Sequence, residues 1–159
     1  MSDLATTDLA AAPDPASPDS DLTQLVGYNL KRVVNLMQAD LSAVLAAFGL
    51  RIISFSALMV VVKNPGINQT QLAEILDIER SNLVQIIDEL SGRSLMARTP
   101  VAGDRRRHAL MPTTEGLQVY AKAHDAVVAH EARVFGMLNT GERDTLRSIL
   151  RKIRQNWGA

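Results

Sequence analysis

Within residues 68–113 the spacing of the apolar residues changes period twice, and few architectures tolerate that in so short a stretch. A short helix is expected from Gln69 to Leu76, with Leu72, Ala73, Ile75 and Leu76 as its apolar set. Asn68 and Gln71 give it a capping-box-like start. Asp77-Ile78-Glu79 makes a tight connection to a second helix, Arg80 to Ser91. There Leu83, Ile86, Ile87 and Leu90 stand at i, i+3, i+4 and i+7, one stripe of a 3.6-residue period. After Gly92 two short β-type runs follow, Leu95–Thr99 and His108–Met111, joined by Pro100-Val101-Ala102-Gly103-Asp104-Arg105-Arg106-Arg107. Two helices on a tight turn, then a hairpin with an arginine-rich tip, describe a winged helix-turn-helix.

The residue types on the polar side of the second helix fit duplex DNA. Arginine can bond guanine bidentately in the major groove, and asparagine or glutamine can do the same for adenine. Arg80, Ser81, Asn82 and Gln85 occupy the first turns of that helix, the end that meets base edges in helix-turn-helix docking. Taken alone, such a face is also what any solvated helix carries. The wing separates the two readings. Three consecutive arginines, Arg105, Arg106 and Arg107, repel one another and belong to no core, whereas a phosphate row or a narrow minor groove supplies their counter-charge.

These residues also carry a resemblance. Gln71-Leu72-Ala73, the run Arg80 to Leu90, Leu95-Met96-Ala97-Arg98, Asp104-Arg105-Arg106 and Thr113-Thr114-Glu115-Gly116 resemble, in order and spacing, the MarR family of transcriptional regulators. The similarity extends more weakly over about residues 22–157. Its most specific element is the Asp-Arg-Arg wing followed by Thr-x-x-Gly. The resemblance implies that Asp104 orients a wing arginine and that Arg106, with Arg105, enters the minor groove. Three positions depart from the family pattern. Glu79 stands at a helix cap where Glu caps poorly, Pro112 stands at the end of an edge strand, and Arg51 takes the usual Thr cap position.

The flanking segments set the domain plan. Residues 1–20 lack any apolar period and are expected to form a disordered acidic tail. Asp21 is the expected N-cap of a long helix to about Phe48, with Leu22, Leu25, Val26, Leu30, Val33, Leu36, Met37, Leu41, Val44 and Leu45 at helical spacing. A helix from about Arg51 to Lys63, apolar nearly all round, suits the centre of the core. Ile67 adds a short strand beside the wing. Thr113 is expected to cap a helix reaching about Leu138, and Thr140 a last one over about 141–156. The plan is therefore a tail (1–20), an N-terminal dimerisation helix (21–48), a DNA-binding lobe (49–113) and C-terminal dimerisation helices (114–159). The fold class is mainly α. Long terminal helices with more apolar surface than one small lobe covers call for a partner, and a second copy on a twofold axis is the simplest. The family resemblance implies the same dimer, and with it a near-palindromic operator.

Charge and composition exclude several classes. The formal net charge of zero is at odds with a polyanion partner until it is divided along the chain. Residues 1–21 hold five of the 17 acidic groups and none of the 17 basic ones, so the rest carries 17 basic against 12 acidic, a net of +5. The body is basic and the tail masks it. With no cysteine there is no disulfide or thiol switch. No Gly-rich phosphate loop or base-flanked carboxylate pair is present, and Glu74, Asp88 and Glu89 read as ordinary helix-surface charges, so an enzyme is not expected. No signal peptide or membrane span is expected, which places the chain in the cytoplasm.

For an effector, the resemblance implies a site near the first, second and fifth helices. Tyr28 and Arg32, one turn apart, suit an aromatic acid or its thioester by ring contact and charge pairing. The plainer alternative packs Tyr28 at the dimer interface and leaves Arg32 solvated. The run Gly27-Tyr28-Asn29-Leu30-Lys31-Arg32 is similar to members that sense hydroxycinnamoyl-coenzyme A thioesters, which makes Lys31, Arg32 and Arg51 candidates for the phosphate end. Phe55 and His124 complete the candidate set. A metal-responsive regulator of the same fold and a winged-helix protein-interaction module are the alternatives. His124 and His130, about 240° apart on one helix, share no face, so no metal site is expected, and no cofactor.

Overall fold

The computed structural model describes residues 18–101 and 104–157, with the backbone alone at residues 101 and 104–107. Among the described residues the elements run α1 (Ser20–Thr23), α2 (Val26–Ala46), α3 (Ile52–Lys63), β1 (Ile67–Asn68), α4 (Gln69–Leu76), α5 (Arg80–Gly92), β2 (Met96–Val101), β3 (Asp104–Pro112), α6 (Thr114–Val134) and α7 (Thr140–Gln155). They form the mainly helical, winged architecture expected. The expected disordered tail falls on residues that lie outside the description up to position 17. The chain divides into two units, Met1–Ala39 and Asp40–Ala159.

In the first unit the single long helix expected from Asp21 is broken. Asp19, not Asp21, is the N-cap of α1, and its side chain makes no capping bond. Thr23 Oγ1 donates to the Ser20 carbonyl (2.7 Å), and Asn29 Nδ2 donates to the carbonyls of Thr23 (2.6 Å) and Leu25 (3.0 Å). The Ser20 and Thr23 carbonyls, which a continuous helix would give to its own backbone, are taken by these side chains, while the Leu25 carbonyl also keeps its helical bond from the Asn29 amide (3.2 Å). This is how Thr and Asn compete with helical bonding. The apolar spacing runs through the break, so periodicity alone does not reveal it.

The second unit holds the core. α3 packs against α4, α5, α6 and β3, and it buries Ser54, Phe55, Ala57, Leu58 and Val61. Leu45 and Leu50 join them from the α2 side, with Leu72, Leu83, Ile87, Leu90, Leu95 and Leu110 from the surrounding elements. Burying each such Leu or Ile stabilises by about 1.5–3 kcal/mol, so this cluster positions the lobe. α4 starts on the expected capping box of Asn68 and Gln71. The three strands are antiparallel in the order β1-β3-β2, with Ile67 opposite Leu110.

The wing strands are longer than expected. β2 runs on through Pro100, which an edge strand tolerates, and β3 begins at Asp104. Pro100 pairs with His108 but Val101 pairs with Asp104, so Arg105, Arg106 and Arg107 lie in a bulge of β3 and not in a loop. At the root of the wing Thr113 Oγ1 donates to the Ser94 carbonyl (2.5 Å) and accepts from the Gly116 amide (2.9 Å), capping α6 as expected. A Cβ at Gly116 would stand 1.9 Å from the Leu95 carbonyl oxygen, so only glycine fits there. The Thr-x-x-Gly motif thus fastens the start of β2 to the start of α6. α6 ends at Val134, short of the expected Leu138. α7 is capped by Asn139 instead of Thr140, because Asn139 and Glu142 close a reciprocal capping box (3.0 and 2.7 Å).

Candidate nucleic-acid interface

The chain reaches α5 through a turn that the sequence builds tightly. Asp77 closes α4 in the left-handed region, φ 52, which Asp adopts more readily than most residues. Its amide and that of Ile78 return to the carbonyls of the last turn of α4. Glu79 is the N-cap of α5 and makes no side-chain capping bond, as its chemistry implies.

α5 is divided sharply by burial. Leu83, Ile86, Ile87 and Leu90 are buried, while Arg80, Ser81, Asn82, Val84, Gln85 and Asp88 are exposed. Four side-chain ties then fix its orientation. Arg80 Nη2 donates to Thr70 Oγ1 of α4 (2.8 Å), and Arg98 Nη2 of β2 donates to Asp88 Oδ1 (2.5 Å). Glu89 accepts from Ser54 Oγ (3.0 Å) through one oxygen and from Arg51 through the other, both donors coming from the N-terminal end of α3. Arg93, just past the helix, donates to the carbonyls of Phe48 (2.9 Å) and Gly49. Such partly exposed ion pairs contribute at most about 1 kcal/mol each. The buried stripe therefore makes α5 dock, and the ties set which way its outer face turns.

Arg80, Ser81, Asn82 and Gln85 are all exposed on the first two turns of α5, Ser81 and Gln85 on its outer face with Arg80 and Asn82 flanking them. The Asp88–Arg98 bond joins that helix to the wing. The side chains of Asp104, Arg105, Arg106 and Arg107 lie outside the described residues. Glu89 corrects the reading of it as an ordinary surface charge. Ser54, wholly buried in a largely apolar helix, needs a partner, and that need was the available signal.

The candidate effector residues fall into separate groups. In the first unit, Tyr28 Oη and Arg32 Nη1 both donate to Asp19 Oδ2 (3.2 and 2.9 Å), and the Arg32 guanidinium lies 5.7 Å from the Tyr28 ring centre. Lys31 is exposed. In the second unit, Arg51 is engaged with Glu89. Phe55 is buried and stacks on Tyr120 with ring centres 6.3 Å apart, and His124 tilts against Tyr120 at 5.4 Å. Tyr120, which was not among the candidate residues, is the centre of this aromatic row. Its hydroxyl is buried with no hydrogen-bond partner among the described residues. His130 is buried with Nε2 3.2 Å from Asp40 Oδ2, at an angle outside hydrogen-bond geometry. Among the described residues no three His, Asp or Glu side chains are placed to hold a metal ion, and no helix is long and apolar enough to cross a membrane.

Comparison with known proteins gives this surface a setting. A family model described as the MarR family matches residues 48–107. A protein of Thauera aromatica named for transcriptional regulation of the hcr operon is 32% identical over 99 residues, which is 62% of this chain and 60% of that relative. The transcriptional repressor CouR bound to a 23-mer DNA duplex superposes with a TM-score of 0.82 at 38% identity, covering 87% of this chain and 98% of that one. CouR bound to p-coumaroyl-CoA gives a TM-score of 0.78 at 35% identity, over 91% of this chain and all of that one.

Proposed function

The chain belongs to the MarR family of transcriptional regulators, and from that premise we propose that it is a dimeric repressor released from its operator by a small aromatic acid or its coenzyme A thioester. The observation that carries the reading is the outer face of α5. It presents Arg80, Ser81, Asn82 and Gln85 together while the opposite face is sealed into the core. Those four residues meet base edges in the major groove, and Arg105, Arg106 and Arg107 meet phosphates or the minor groove beside it, with Asp104 orienting a wing arginine.

Residues 21–48 and 114–159 serve as dimerisation segments on either side of the DNA-binding lobe, residues 49–113. Two copies on a twofold axis place their recognition helices about 34 Å apart, one turn of the duplex. Support for the effector class comes from the likeness to CouR in complex with p-coumaroyl-CoA. In the second unit Phe55, Tyr120 and His124 offer an aromatic contact, and in the first unit Tyr28 offers a ring of its own. Lys31, Arg32 and Arg51 offer charge for phosphates.

The test is a mobility-shift titration on a duplex selected from a randomised library, with p-coumaroyl-CoA, p-coumaric acid and free coenzyme A added in turn. Salt-sensitive binding to a near-palindrome, released by the thioester or the acid, is the expected result. If no duplex is enriched, the DNA reading fails. If a duplex is enriched and neither compound releases it, the effector reading alone fails.

A further inference from the structure

α5 carries one large apolar side chain that its own fold does not use. Leu83, Ile86, Ile87 and Leu90 are at most 4% exposed, whereas Val84 is 41% exposed. Spacing decides where Val84 points. Ser81, Val84, Gln85 and Asp88 stand at i, i+3, i+4 and i+7, so they share one ridge of the helix. All four are exposed. Val84 therefore sits beside a hydroxyl and an amide that suit base edges, on a ridge whose other members are polar.

A β-branched residue at an exposed helix position is a poor choice for the helix itself, since Val loses rotamer freedom there and Ala is the better former. Among the described residues nothing covers it. In the major groove, one base edge is apolar: the C5-methyl of thymine, which an aliphatic side chain contacts where no hydrogen bond can be made. We infer that Val84 is a specificity-determining residue that reads the 5-methyl group of a thymine, next to the base read by Gln85. This rests on the DNA-binding reading above and adds to it a hydrophobic contact that does not depend on charge.

The test removes the methyl group from each side of the contact. Duplexes are selected from a randomised library by the full-length wild-type protein, and each thymine in the enriched sequence is then replaced singly by deoxyuridine. At one thymine per half-site, loss of the methyl should weaken wild-type binding about fourfold, the worth of one buried methyl-sized group. Val84→Ala should weaken binding to the parent duplex by a similar factor and be indifferent to deoxyuridine at that position. Its thermal midpoint should be equal to or above that of the wild type, because the side chain is exposed and Ala favours the helix. A deoxyuridine penalty of the same size in both proteins, or none in either, overturns the assignment of Val84 while leaving DNA binding intact. Failure of the library to enrich any sequence overturns the DNA reading, and this inference with it.

Discussion

α5 and α7 are both amphipathic helices of similar length, and the chain treats them in opposite ways. The apolar stripe of α5 is buried in the lobe, and its polar face is the exposed one. α7 buries no residue, and Ile149, Leu150, Ile153 and, just beyond the helix, Trp157 remain 41–85% exposed. A solvated amphipathic helix keeps its apolar side out of water, and among the described residues of its own unit α7 finds no such cover. The difference separates a surface complete in itself from one that requires another body. The polar face of α5 is ready to be used, whereas the apolar face of α7 still needs covering.

The sharpest way to break this contrast is to charge the uncovered face. If the proposed dimer forms through this face, Leu150→Glu with Ile153→Glu should convert it to a monomer in light scattering and reduce operator affinity about a thousandfold, the gain that bivalency gives. Both side chains are about two-fifths exposed, so the lobe should still melt cooperatively. An unchanged dimer would mean that α7 is not the interface. The next largest effect lies at the root of the wing. Gly116→Ala should cost about 3 kcal/mol by chemical denaturation, because its methyl would collide with the Leu95 carbonyl. Gly92→Ala, where a Cβ meets nothing within 4 Å, should be neutral or slightly stabilising and serves as the control.

On the α5 side the effects are smaller. Gln85→Ala should reduce discrimination between operator and random DNA about tenfold, with less change in general affinity. Arg106→Ala should weaken binding to all sequences and lower the salt slope by about one. Smallest of all, Glu89→Gln should cost about 1 kcal/mol or less in stability, since Arg51 is 62% exposed. It keeps an acceptor for Ser54, whereas Glu89→Ala, which strands a buried hydroxyl, should cost more.

The same contrast explains what was legible in the sequence. The helices of the lobe are local patterns: a stripe of period 3.6, an Asn-x-x-Gln box and an Asp in the turn, each read from neighbours a few residues apart. α7 was legible as an amphipathic helix for the same reason. The ties that orient α5 were not, because Ser54 and Glu89 are 35 residues apart and nothing local pairs them. The break before Val26 was hidden by an apolar rhythm that continues through it. Asn139 could have been preferred to Thr140, since both cap well but only Asn139 has a Glu three residues on. The bulge holding Arg105–Arg107 depends on register between two strands, which residue types alone do not specify.

The fastening of Thr113 and Gly116 to the Ser94–Leu95 backbone has a mechanical consequence. With a carbonyl oxygen seated where any side chain would begin, the wing has no hinge at its base. A tilt of the α6 shaft should therefore carry the root of the wing with it, so a molecule that tilts α6 would steer the wing as a rudder is steered by its post.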